Sequence, residues 1–253
     1  MKTTNTIDTI WSIIWKYGFE DFDLNLPIGK LFKYSSHIPL LFSTMELLPH
    51  GRILEFGSGF FSTPIFYHNY TEKFVTVEDD PYWHKKLIDY YTPKDGFVTV
   101  CSNMLFWDGK PYKPTISEIT KKQHKQLVSF YEKMKEYIPI DILFIDQIKY
   151  GRSVSIDVLG KYTDILIYHD AQHKHRFYRD SVDNLLLSCE YKHFSYKIER
   201  NTTNIVIKNN IEFDSEVFKS KIKEYETRYF KLLGDRFDDL EYIKDVESVF
   251  IQL

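Results

Sequence analysis

Ile53-Leu54-Glu55-Phe56-Gly57-Ser58-Gly59 reads as a short buried strand that ends in a glycine turn. Four mainly apolar residues are too few for a stable helix and suit a strand covered on both faces. The glycines allow the backbone to turn sharply and let bare N–H groups approach a ligand. A nucleotide-like ligand is therefore expected at the carboxyl end of this strand.

The flanking sequence supports that expectation. Glu55 stands two residues before the first glycine, and Glu78 ends a second apolar run, Phe74 to Val77. Their separation is near the spacing at which an acid reaches ribose hydroxyls. Further strands are predicted over Phe97–Cys101, Asp141–Ile145 and Ile165–Tyr168, with helical patterning over Pro81–Tyr91 and Ser153–Tyr162 between them. Apolar strands alternating with helices predict a doubly wound α/β fold with a parallel sheet. Upstream, Ile7, Ile10, Trp11, Ile14 and Trp15 have helical spacing, followed by a loop with Pro27 and Gly29. A helix over Ile38–Leu48 comes next, with Ser36 as its N-cap. Downstream, Tyr191–Ile198 and Asn204–Ile207 form a hairpin around Glu199–Thr203, and Phe213–Leu233 reads as an amphipathic helix with a solvated charged side. The expected division is an N-terminal helical cap (1–51), a core (52–210) and a C-terminal helical extension (211–253), in one structural domain.

The chain of 253 residues is 43% hydrophobic and 27% charged, enough to build such a core. A formal net charge of −3 gives no general pull toward nucleic acid or an acidic membrane surface. Cys101 and Cys189 are too few for a disulfide framework, and no CxxC pair suggests zinc. No apolar stretch reaches the ~20 residues that cross a bilayer. Met1–Asn5 lacks the features of a signal peptide, so a cytoplasmic location is expected. Aromatic residues, 17% of the chain, are spread along its whole length and read mainly as core fillers. The alternative is a cleft lined with flat faces.

Glu55-Phe56-Gly57-Ser58-Gly59 and Val77-Glu78-Asp79-Asp80 resemble the first and second motifs of class I S-adenosylmethionine-dependent methyltransferases. The resemblance covers about residues 52–208. It implies a seven-stranded Rossmann-like sheet with the last strand antiparallel, Glu55 beside the methionine amino group and Glu78 on the ribose diol. It also puts Asp79 in the cofactor site and Ser102 or Asn103 near adenine. Many members carry a third glycine where this chain has Phe61. Gly59-Phe60-Phe61-Ser62-Thr63 instead resembles a loop variant of some sugar and polysaccharide methyltransferases, in which Ser62 and Thr63 cap the next helix or face the cofactor. NAD(P) is the rival for such a turn, but its pyrophosphate favours a small residue at the position of Phe61 and gives Glu55 no role.

Asp146 follows the fourth strand and His169-Asp170 the fifth, on the sheet edge where a methyl group would be presented. Two mechanisms fit. Asp146 and Asp170 bind Mg²⁺ or Mn²⁺, which holds the acceptor oxygen, as in the catechol-type enzymes that Phe144–Tyr150 resembles. Alternatively His169 or Asp170 acts as a general base without metal. Where that family continues with Asn after the second Asp, this chain has Ala171. Lys149 and Arg152 read as a loop, either pairing with a substrate carboxylate or solvated, and His173 and His175 as surface residues. Phe106–Tyr112 reads as an aromatic lid, and Tyr34–His37 lies close enough in sequence to the glycine strand to approach the site. The expected partner is a small-molecule or glycan acceptor, with no nucleic acid and no membrane; the oligomeric state stays open. A methyltransferase-like protein that only binds is the remaining alternative.

Overall fold

The predicted apolar runs all become strands of one sheet in a computed structural model that describes residues 4–20, 28–102, 106–107, 110–111, 121–147, 149–178, 180–188, 191–237, 246 and 248–253. They are β1 (Arg52–Phe56), β2 (Lys73–Glu78), β3 (Phe97–Cys101), β4 (Ile140–Ile145), β5 (Thr163–Tyr168), β6 (Tyr191–Ile198) and β7 (Asn201–Lys208), and an unpredicted strand, β8 (Ser248–Gln252), joins them. The order across the sheet is β8-β6-β7-β5-β4-β1-β2-β3. The run from β3 to β5 is parallel, β7 is antiparallel to β5 and to β6, and β8 is antiparallel to β6. Strand order reverses between β1 and β4, and a ligand crevice opens at such a switch point.

Seven of these strands have the expected pattern. The eighth corrects it, because residues 248–252 return to the sheet instead of continuing a helical tail. The hairpin is also tighter than expected: Ile198 pairs with Asn201, so the turn is only Glu199-Arg200, with Glu199 at φ 51°.

Alternate residues of each strand face opposite layers. Phe144, Ile165, Ile167 and Ile205 pack beneath α1 (Thr4–Ile13), α3 (Ile38–Leu47), α4 (Thr63–Asn69) and α10 (Ser215–Phe237). Leu143, Ile145, Leu166 and Val206 pack beneath α6 (Lys121–Met134), α7 (Lys149–Leu159) and α9 (Ser181–Ser188). In the first layer the N- and C-terminal helices lock together. Phe42 stacks between Trp11 and Tyr225 at 4.7 and 5.0 Å, and the Tyr229 hydroxyl lies 2.7 Å from Ser35 Oγ.

Three further helices are α2 (Ile28–Ser35), which begins inside the segment expected to be a loop, α5 (Pro81–Tyr90) and α8 (Lys174–Phe177). A π-helical segment, Ile14–Glu20, extends α1. The residue at the N-cap of α3 is His37 rather than Ser36. Among the described residues, no helix is long and apolar enough to cross a membrane.

Candidate functional site at the switch point

Gly57 adopts φ +90°, and a Cβ built on it would lie 2.3 Å from the carbonyl oxygen of Asp146. Only glycine fits where β1 leaves the sheet beside β4. Gly59 differs: a Cβ there meets nothing within 4 Å. It borders a cavity of about 320 Å³ whose walls include Tyr17, Tyr34, His37, Glu78, Asp79 and Asp146. Phe61, where the resembled motif carries a third glycine, is buried in the core and also lines the cavity. It meets Phe19 edge-on at 5.0 Å and packs over Gly18, whose missing side chain makes room.

Glu55 is fully buried and accepts hydrogen bonds from Ser62 Oγ (2.6 Å), Thr63 Oγ1 (2.8 Å) and Thr76 Oγ1 (2.6 Å). Burial outweighs these donors and pushes its carboxyl up to about 7. These contacts tie the carboxylate to the start of α4 and to β2, and Glu55, expected beside the cofactor, is not among the residues that line the cavity. Ser62 and Thr63 likewise spend their hydroxyls on Glu55, and Ser62 makes no side-chain cap. Gly59 N–H donates to Thr63 Oγ1 at 2.9 Å, and Ser58 Oγ lies 2.5 Å from Thr76 Oγ1, so the loop is fastened from beneath.

Glu78 ends β2 at the cavity and accepts the Asp80 backbone N–H at 2.9 Å. Burial, with Asp79 beside it, pushes its carboxyl up to about 8. Ser102 donates to Asp79 rather than standing free at the cavity. Asn103 lies outside the described residues, as does most of the expected lid, of which only Phe106–Trp107 pairing with Lys110–Pro111 is described.

Of the two acids expected to bind metal, Asp146 lines the other end of the cavity and Asp170 is not among its lining residues. Between them lies Arg152, which is 6% exposed and sits on α7 instead of in a solvated loop. Its Nη2 donates to Asp146 Oδ1 at 3.1 Å, its Nη1 to Asp170 Oδ2 at 3.0 Å, and its Nε to the Gln147 carbonyl at 2.7 Å. The Phe177 ring covers its face at 5.1 Å. The two aspartates therefore do not fit a shared divalent cation: a guanidinium with its donors directed at both already supplies the positive charge. Burial would raise Asp170, yet His169 and Arg152 hold it below the usual carboxylate range. Its backbone is left-handed, φ 58°, which fixes the carboxylate toward Arg152. For Asp146 burial prevails, and its carboxyl is raised despite the same neighbours.

His169 is equally committed. Its Nε2 donates to the Lys33 carbonyl at 2.8 Å and its Nδ1 lies 2.8 Å from Thr203 Oγ1. With both ring nitrogens occupied, it is a fixed strut joining α2, β5 and β7, which argues against its expected role as base. His37 contrasts with it. It is 2% exposed, lines the cavity, and neither ring nitrogen has a hydrogen-bond partner. Burial, then His169, holds its imidazole well below the ordinary range, so the ring is neutral at neutral pH. His37, Asp146 and His169 bring one ligand atom each within 4.8 Å of one another.

Of the site residues read from the sequence, Gly57, Ser58, Gly59, Ser62, Glu78, Asp79 and Asp146 line the cavity, whereas Glu55, Thr63, Ser102, His169 and Asp170 are not among its lining residues. Sequence reading undervalued Arg152 and His37. The signal for Arg152 was its place among residues of helical periodicity directly after an acid-tipped strand. His37 had only its proximity in sequence.

No protein-family model and no curated protein matches the chain. Among solved structures, it is similar to an O-methyltransferase from Bacillus cereus in complex with SAH (12% identity, 82% of this chain and 93% of that one, TM-score 0.45). It is similar to human methyltransferase-like protein 13 in complex with SAH (14% identity, 76% and 89%, TM-score 0.44). A third is Aeropyrum pernix fibrillarin with natively bound S-adenosyl-L-methionine (12% identity, 68% and 74%, TM-score 0.43). Likeness this remote says nothing about reaction or substrate.

Proposed function

We propose that the chain is an S-adenosylmethionine-dependent methyltransferase acting on a hydroxyl of a small acceptor. The observation that carries this reading is Gly59, bare toward an open cavity, in the same crevice as the buried acid Glu78 at the end of the next strand. Backbone N–H groups of the turn suit the amino-acid part of the ligand, and Glu78 suits a ribose diol as a double acceptor. Asp79, steadied by Ser102, borders the same space. When bound, the cofactor supplies an electrophilic methyl group on a sulfonium.

For the acceptor we favour a sugar or glycan over a catechol-like ring. Metal-assisted catechol chemistry needs a cation held by carboxylates, and Arg152 fills that place between Asp146 and Asp170. Tyr17 and Tyr34 offer flat faces along the cavity against which a sugar ring packs. Calorimetric titration with S-adenosylhomocysteine tests the reading. Stoichiometric binding with a micromolar Kd is expected. Absence of heat at millimolar ligand sinks the cofactor assignment, and tighter binding of NAD transfers it to the rival.

A further inference from the structure

The outermost strand, β8, presents an open edge. Among the described residues nothing pairs with it on the side away from β6, and Ser248-Val249-Phe250-Ile251-Gln252 carries no charge, proline or glycine. Sheet edges are ordinarily protected by lysine, proline, a bulge or a covering element, because free N–H and C=O groups recruit another strand. At the opposite edge, none of the five residues of β3 is exposed. On β8, Val249 and Ile251 are 45% and 49% exposed, and Leu253 continues the same row at 61%. We propose that β8 is a dimer interface, pairing antiparallel with β8 of a second copy of this chain about a twofold axis at Phe250.

The phase of the hydrogen bonds sets this register. Leu253 N–H donates to the His193 carbonyl at 2.8 Å, and Gln252 lies opposite Phe194. In an antiparallel ladder, residues that bond one neighbour alternate with residues that face the other. Val249, Ile251 and Leu253 therefore spend their backbone groups on β6, and those of Ser248, Phe250 and Gln252 point away from the sheet. A twofold at Phe250 sets Phe250 opposite the partner's Phe250 and Ser248 opposite the partner's Gln252. Each outward N–H then meets an outward carbonyl, over the whole strand.

Side chains agree with that register. Val249 falls opposite the partner's Ile251 in a non-hydrogen-bonded pair, where Cα atoms stand about 4.5 Å apart and side chains touch. Lys197 lies beside Val249 and Ser195 beside Ile251 on β6. The row across the junction thus runs Lys197, Val249, the partner's Ile251, the partner's Ser195, and sets no like charges side by side. Phe250 keeps its contacts with Phe194 and Phe218, so the core is not rearranged. Five paired residues bury less than the ~800 Å² per partner of a standard interface, so association is weak and reversible, with a micromolar Kd. The interface is independent of what the cavity binds, because β8 lies four places from β4 in the sheet.

Sedimentation equilibrium of the full chain, from about 5 to 300 μM, tests the proposal. A reversible monomer–dimer equilibrium is expected, and Ile251→Lys should weaken it about tenfold or more by placing an ammonium in the paired row. Because Ile251 is half-exposed, the variant should melt within about 2 °C of the parent. In a second variant, Val249→Cys with Ile251→Cys, mild oxidation should give a covalent dimer. Peptide mapping should place its bridge between position 249 of one protomer and position 251 of the other, and neither single variant should bridge efficiently. A parent that stays monomeric at about 300 μM overturns the proposal. So does a dimer that Ile251→Lys leaves intact. Should Ile251→Lys melt clearly lower, the double variant decides: the 249–251 bridge supports the interface and its absence overturns it.

Discussion

Two glycines two residues apart do different work, and this difference can be measured. An alanine at Gly57 must adopt φ +90° and drive its Cβ into the Asp146 backbone. The left-handed backbone alone costs roughly 1–2 kcal/mol, and the clash adds to it by forcing β1 and β4 apart. Gly57→Ala should therefore melt at least several degrees lower, as seen by calorimetry. Gly59→Ala meets no protein atom and should melt with the parent, but its methyl enters the space assigned to the cofactor. We expect its S-adenosylhomocysteine affinity to fall about tenfold or more, a loss of roughly 1.4 kcal/mol or greater. Equal binding by Gly59→Ala and the parent would mean that the ligand does not approach this turn. Arg152 marks the limit of residue-scale sequence reading. Its partners Asp146 and Asp170 lie 6 and 18 positions along the chain. Helical periodicity after an acid-tipped strand could place Arg152 on a helix, but it did not say which acids the side chain would meet.

At the scale of elements, β8 was the strand of the main sheet that was missed. Its five residues pair with β6 about fifty positions earlier, so nothing local fixes it. Val249 and Ile251 are outward and half-exposed, while Phe250 stacks on Phe194 at 5.3 Å and meets Phe218 at 5.5 Å. Removing residues 248–253 uncovers that aromatic contact and makes β6 the new sheet edge. Loss of this burial is worth about 2–3 kcal/mol, which corresponds to a melting temperature lower by roughly 5–10 °C. S-adenosylhomocysteine affinity should stay within twofold, because β8 lies four places from β4 in the sheet. A matching collapse of binding would show that the C-terminal strand supports the site. The other strands were legible because continuous apolar runs with glycine or acid at their ends have few alternative placements. The helical cap was legible as helices but not in its details, since the start of α3 at His37 is set by packing on His169 and Phe144.

Over the whole molecule, burial raises two carboxyls, Glu55 beneath the glycine turn and Glu78 at the cavity, and this couples stability, binding and pH. Glu55 rises from 4.5 to about 7 and Glu78 to about 8 in the folded protein. Between pH ~4.5 and those values the folded chain binds more protons than the unfolded chain, so stability falls as pH rises through that window. For Glu55 the loss is on the order of 3 kcal/mol, large against the net stability of an ordinary domain. The ligand-free protein should thus melt highest near pH 5 and progressively lower toward pH 8. Glu55→Gln should flatten part of that slope, because three hydroxyls can reorient toward an amide that never ionises. Ligand binding runs the opposite way. A ribose diol donates to a carboxylate, so Glu78 must release its proton when the cofactor enters. S-adenosylhomocysteine affinity should then strengthen from pH 6 to 8, by at most about tenfold per unit. Calorimetric titration at pH 7 in buffers of different ionisation heat should register proton release. Glu78→Gln should abolish both effects, whereas pH-independent binding by the parent would remove Glu78 from the cofactor's contacts.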